Sequence, residues 1–232
     1  MVTIQILSDL HLEAYDTYEV FEITPHAPYL ALLGDISCAK KHEEHFLAFL
    51  RRQLANFRVV FFLLVLQGRE MQSYIGEFIF LNKRRYDIND NGTNLTILDD
   101  VSFGLNDFYH IENWTVEQHS AEHDGELAWL NNRVEELQDS GRKVVIFTHH
   151  SPTRDERSVE AQHRQSKRIA GLSTDLSDQQ CWRSNDVKLW AFGHTHYNCD
   201  YVDAKTNKRV YTNQKGYFGG SDGFDVNRVI CL

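Results

Sequence analysis

The stretch Val2-Thr3-Ile4-Gln5-Ile6-Leu7-Ser8-Asp9-Leu10-His11 is a short apolar run that finishes in an aspartate and a histidine. Three further runs finish in the same way. Tyr29 to Leu33 leads into Gly34-Asp35-Ile36, Val144 to Phe147 into Thr148-His149-His150-Ser151-Pro152, and Leu189 to Phe192 into Gly193-His194-Thr195-His196. Each run has the length of a buried strand. Each ends in residue types that bind cations through hard oxygen or borderline nitrogen. A stiff sheet fixes such side chains at its strand ends, which is where a metal site is best assembled. Along an extended chain, residues i and i+2 point to the same side. Asp9 and His11 are therefore expected to approach one ion together, and His194 and His196 to repeat that arrangement. Gly34 lets the backbone turn sharply beside Asp35.

Outward from these motifs, Glu43 to Phe57 reads as an amphipathic helix with Phe46, Phe49, Leu50 and Leu54 on its apolar side. Val59 to Leu66 is the strand that follows it. Strand, helix, strand within some forty residues predicts a crossover unit and a parallel local sheet. Residues 78–81 and 95–98, separated by the turn-rich Asn89-Asp90-Asn91-Gly92, read as a hairpin. Thr115 to Gln118 fits a capping box. The helix after it carries Leu127, Leu130, Val134 and Leu137 on one stripe, and Gly141 is expected to end it. Residues 153–180 are polar and predict a long loop or lid. Arg209 to Thr212 and Val229 to Cys231 are expected in a second, more antiparallel sheet. The whole reads as one α/β domain over residues 1–232, a sandwich of two sheets with helices outside.

The 232 residues carry a net charge of −9, with 42% hydrophobic and 25% charged residues. This is the composition of an ordinary globular protein. The acidic balance argues against binding long nucleic acid, which needs a basic surface. A small phosphate ester can still be held locally by bound cations. The longest apolar stretch, Val59 to Leu66, is far short of the ~20 residues of a membrane span. Cys38, Cys181, Cys199 and Cys231 form no CxxC pair. With no apolar leader before the first strand, they predict unpaired thiols in a cytoplasmic protein.

The ordered series Asp9-x-His11, Gly34-Asp35, His149-His150 and Gly193-His194-x-His196 resembles the calcineurin-like metallophosphoesterases. Their two-metal centre is built from D-x-H, GD, GNH(D/E), H and GHxH motifs. The similarity runs from Asp9 to the segment Asn213-Gln214-Lys215-Gly216-Tyr217. It implies the metallophosphoesterase-type β-sandwich of two mixed sheets flanked by helices. It also implies two divalent cations, of Mn, Fe, Zn, Mg or Co. Asp9, His11 and His196 would bind the first ion, and Asp35 would bridge. His194 and either His149 or His150 would bind the second. His149 comes first after its strand, while His150 precedes Ser-Pro as the family histidine often does. The implied reaction is hydrolysis of a phosphomonoester or phosphodiester by a hydroxide held between the ions.

One block of the family pattern is missing. After the strand at Val59 to Leu66 the family has GNH(D/E), whose Asn ligates the second metal and whose His contacts phosphate. Here the chain reads Gln67-Gly68-Arg69-Glu70-Met71. In one reading the block has been lost, leaving a degenerate homologue that keeps the fold and one metal but little or no activity. In the other, Glu70 replaces the Asn ligand and Arg69 or His150 assists phosphate. The first is the preferred expectation.

Elsewhere, His119 and His123 stand at helical i, i+4 spacing without the HExxH order and are read as serving a helix surface or an interface. Trp114, Trp129 and Trp182 are read as core or loop anchors. The basic residues between Arg154 and Arg168 are read as a solvated loop.

Overall fold

The computed structural model describes residues 1–38, 42–63, 115–165, 169, 171–217 and 220–232, with the side chains of 116–119 and 122 outside that description. The expected hairpin at 78–98, the strand residues beyond Leu63, Arg69, Glu70, Trp114 and the Gln118 half of the capping box all lie outside it.

Among the described residues, eight strands form two four-stranded sheets. The first contains β1 (Thr3–Leu7), β2 (Tyr29–Leu32), β3 (Val59–Phe62) and β8 (Val229–Cys231), in the order β3-β2-β1-β8. The second contains β4 (Val144–Phe147), β5 (Val187–Phe192), β6 (Asp200–Val202) and β7 (Arg209–Thr212), in the order β4-β5-β7-β6. Strands β1, β2 and β3 are parallel, and β8 runs antiparallel to β1. Strands β4, β5 and β7 are parallel, and β6 runs antiparallel to β7. The parallel crossover expected from the sequence is the unit β2, α1 (Glu43–Asn56), β3. The two late strands were expected to share one antiparallel sheet. Instead β7 lies parallel to β5 in the second sheet, and β8 closes the edge of the first.

Alternation along the strands builds the layers. Ile4, Ile6, Ala31, Leu189, Ala191, Tyr211 and Ile230 face one another between the sheets. On the outer face of the first sheet, Leu30 and Leu32 pack under Phe46 and Phe49 of α1. On the outer face of the second, Ile146, Trp190 and Phe192 pack under Leu130 and Val134 of α2 (Val116–Glu136). The layers therefore run helix, sheet, sheet, helix. Buried Gln5 in β1 is satisfied: its amide donates to the carbonyls of Thr24 and Val226, and its Oε1 accepts from the His26 and Ala27 amides.

Several local expectations change. The buried face of α1 runs through Phe46, Phe49 and Gln53, and Leu54 is 61% exposed. Residue 54 is one helical step, about 100°, beyond Gln53 and so turns out of the groove. Helix α2 stops at Glu136, before Asp139 and Gly141 take left-handed backbone at φ 58° and 72°. Trp129 lies off the apolar stripe and is exposed, whereas Trp182 is buried. His123 is buried, which leaves the interface half of its expected role.

Backbone bonds dock the segment after β4 against the sandwich, while its basic residues Arg157 and Arg164 are exposed, as expected. Ser151 bridges Ser173, the Leu176 amide donates to Pro152 O, and Val159 and Leu176 are buried. Arg157 pairs with Asp155 through two bonds and lies over the Tyr201 ring at 3.9 Å. Among the described residues no helix is long and apolar enough to cross a membrane.

Candidate metal centre

The ends of β1, β2, β4 and β5 meet at one edge of the sandwich. Ser8 leaves β1 and bridges Gln214 beyond β7, which joins the two sheets at this edge. Its amide donates to Asn213 O at 3.0 Å and its hydroxyl to Leu33 O at 3.0 Å. The following turns lock together: the Asp9 amide donates to Gly34 O, and the His11 amide to Asp35 O, both at 3.0 Å.

The backbone here is not extended, so the expected i, i+2 geometry does not hold. Asp9 (φ 52°), His11 (φ 45°), Asp35 (φ 47°), His194 (φ 70°) and His196 (φ 50°) all occupy the left-handed region. Side chains of residues i and i+2 still converge, but through tight turns. Non-glycine residues adopt this conformation uncommonly, and such outliers gather at functional sites.

Two groups of donors result. Asp9, His11 and His196 bring one ligand atom each within 4.8 Å of one another, and Asp35, His149 and His194 do the same. In the first group the His11 and His196 Nε2 atoms lie 3.1 Å apart, and His196 Nε2 lies 3.2 Å from Asp9 Oδ1. In the second, His194 Nδ1 lies 3.2 Å from His149 Nε2, which lies 3.5 Å from Asp35 Oδ2. Nitrogens bound ~2.0–2.1 Å from a common ion stand roughly 2.8–3.4 Å apart, so both nitrogen pairs fit a shared cation. Each group offers two imidazoles and one carboxylate, a donor set suited to first-row divalent metals.

Of the adjacent pair, His149 belongs to the second group. Its Nδ1 lies 2.8 Å from Leu33 O, which leaves Nε2 facing Asp35 and His194. His150 packs its ring against both, with centroids 5.1 Å from His149 and 4.5 Å from His194. Asp35 lies with the second group, within the field of His11 from the first. Burial opposes its charge, but His149, then His11 and His194, hold the carboxyl well below the usual range. Burial likewise opposes a charge on His149, yet Asp35 lifts that imidazole to about 9.

The two groups are tied together. The His194 amide donates to both carboxylate oxygens of buried Asp9, at 3.1 and 3.0 Å. Gly193 allows this approach: a Cβ there would stand 2.1 Å from Ser8 Oγ and 2.6 Å from Asp9 Oδ2.

Four supporting residues were not singled out from the sequence. Buried Gln214 accepts from the His196 amide at 2.7 Å and donates to Thr195 Oγ1 and Tyr197 O. Asn213 donates to Ile6 O and Asp225 O. Glu13 stands 3.6 Å from His11 Nδ1. Tyr217 stacks on His11 with centroids 3.9 Å apart. The polar pair Asn213-Gln214 directly after a strand was the available signal for the first two. Of the residues after His196, Asn198 is a structural clasp, donating to Gln214 O and Asp222 O.

The chain matches the family model of calcineurin-like phosphoesterases over residues 2–198 and belongs to that family. No curated protein matches it. Among solved structures it is similar to phosphopantetheinyl hydrolase from Mycobacterium tuberculosis, with a TM-score of 0.64, 16% identity, and coverage of 93% of this chain and 90% of that one. It is also similar to a dimetal phosphatase from Danio rerio, with a TM-score of 0.50, 12% identity, and coverage of 91% and 86%. At these identities the likeness shows the fold: two mixed sheets flanked by helices, of the metallophosphoesterase type.

Proposed function

We propose that this protein hydrolyses a small phosphate ester, a phosphomonoester or phosphodiester, using two divalent cations. Asp9, His11 and His196 would hold one, and His149 and His194 the other, with Asp35 bridging. The observation that carries the reading is the pair of three-donor groups on adjoining strand-end turns, tied by the His194 amide on the Asp9 carboxylate. Cations held there supply Lewis acidity toward phosphoryl oxygen and lower the pKa of water toward neutrality.

The chain's own residues do the rest. Left-handed turns present Asp9, His11, Asp35, His194 and His196. His149 is fixed by the Leu33 carbonyl so that Nε2 faces the site. His150, whose ring centroid lies 4.5 Å from that of His194, would hold a phosphoryl oxygen. The net charge of −9 favours a small ester over long nucleic acid. Free thiols at Cys181, Cys199 and Cys231 are in keeping with a cytoplasmic setting.

A second reading is a non-catalytic descendant that keeps the metal-binding scaffold. The sequence supports it, since no Asn-His pair occurs anywhere in the chain. The deciding experiment is elemental analysis of protein purified with Mn, paired with a p-nitrophenyl phosphodiester assay on the same sample. Two ions per chain, and turnover that falls roughly 100-fold or more in Asp35→Asn, are expected for hydrolysis. One ion or none, with no turnover, would establish the second reading.

A further inference from the structure

Three of the four imidazoles in the donor groups meet an oxygen on the side away from their site, and the oxygens are not alike. In the second group both are main-chain carbonyls. His149 Nδ1 donates to Leu33 O at 2.8 Å, and His194 Nε2 to Gly171 O at 3.3 Å. These acceptors are neutral. In the first group His11 turns Nε2 toward His196, and its Nδ1 stands 3.6 Å from Glu13 Oε1. That is an ion-pair distance to a full negative charge.

The chain builds this contact locally. Leu12 sinks into the core with its amide on Ile36 O at 3.0 Å. A single 3-10 turn over Leu12–Ala14 is closed by the Ala14 amide on His11 O at 3.1 Å, and the Thr17 amide ties it down on Leu12 O at 2.9 Å. The turn carries Glu13 back beside the His11 ring, which Tyr217 covers at 3.9 Å. The Glu13 side chain is only 23% exposed. Among the described residues its Oε2 is buried without a hydrogen-bond partner. A buried polar atom left in this way costs free energy and is uncommon in folded proteins. Stability of the turn does not account for it, whereas the imidazole it faces does.

We infer that Glu13 is a positioning residue that holds His11 with its proton on Nδ1 and Nε2 free, and so lets the first donor group keep a cation without help from the second. The inference rests on the two-cation site proposed above and adds to it a source of inequality between the two positions. A carboxylate behind a ligating imidazole fixes the ring and strengthens its inner nitrogen as a donor. It also brings negative charge to the cation, which the carbonyls behind His149 and His194 do not.

The test titrates the full chain with Mn and reads the free ion by electron paramagnetic resonance. His149→Ala disables the second group, so that the ion still bound reports the first. Adding Glu13→Ala to that protein is expected to weaken Mn binding roughly 10- to 100-fold. Glu13→Gln, which keeps an acceptor for Nδ1 but no charge, is expected to weaken it less. A thermal melt in EDTA is the control, and Glu13→Ala is expected to move the metal-free Tm by less than about 2 °C. Unchanged Mn affinity would overturn the inference alone and leave the hydrolytic reading standing. A large fall in the metal-free Tm would also overturn it, by assigning Glu13 to upkeep of the fold. So would a His149→Ala protein that binds no Mn, since the first group would then not keep a cation by itself. A wild-type chain that binds no Mn would overturn both readings.

Discussion

Asp9, His11, Asp35, His194 and His196 each hold a left-handed backbone conformation, which costs of order 1–3 kcal/mol per residue outside glycine. Such a cost persists only where the surroundings over-determine it. Here they do: the amides of Asp9 and His11 are taken by Gly34 O and Asp35 O, that of His194 by Asp9, and that of His196 by Gln214. Gly193 is the tightest point. Gly193→Ala is predicted to push the new methyl into the Ser8 hydroxyl, itself bonded to Leu33 O. The expected loss is roughly 1–3 kcal/mol of stability, read by denaturant unfolding, together with reduced Mn content. A variant with wild-type stability and metal content would show that the turn yields more easily than its contacts imply. The identity of these donors was legible as residue types at strand ends. Their backbone conformation was not, because the acceptors that take up the amides of Asp9, His11, His194 and His196 come from neighbouring segments.

At the scale of elements, periodicity located the helices well and their faces less well. The stripe on α2 is as read, with Leu130 and Val134 buried among Ile146, Trp190 and Phe192. On α1 the apolar side as read included Leu54, which the groove excludes in favour of Gln53. The contrast predicts different costs for the same substitution. Leu130→Ala is expected to lose roughly 2–5 kcal/mol, and Leu54→Ala less than about 0.5 kcal/mol, both measured by urea unfolding. Equal losses would contradict the packing described. The segment after β4 shows the converse failure. Its polar composition suggested a lid, but Ser151, Pro152, Ser173 and Leu176 form a backbone-bonded unit, with Gly171 O 3.3 Å from His194 Nε2. Backbone hydrogen bonding of this kind leaves no trace in side-chain hydrophobicity.

Across the whole molecule, each donor group draws on both sheets. Asp9, His11 and Asp35 follow strands of the first sheet, and His149, His194 and His196 follow strands of the second. Cations bound by these groups would therefore clamp the sandwich at its open edge. A ligand that binds only the folded state at 100 times its Kd adds about 2.7 kcal/mol. For a chain of this size that is a rise in Tm of roughly 5–10 °C. Saturating Mn is expected to produce such a rise over EDTA-treated protein in a thermal melt, and Asp35→Asn to lose much of it. A melt indifferent to Mn would mean that the donors do not hold metal across the sheets.

The sequence by itself determined the parallel crossover, the strand ends that carry metal-ligand types, and the family to which the chain belongs. These follow from local periodicity and from motif order, both of which are written along the chain. Only the tertiary structure decided that His149 rather than His150 completes the second donor group, since that depends on the Leu33 carbonyl meeting Nδ1 from the other sheet. It alone assigned β7 and β8 to different sheets and brought Gln214 and Tyr217 to the site. Those contacts join residues more than a hundred positions apart, or turns whose conformation their partners impose, and no local pattern encodes either.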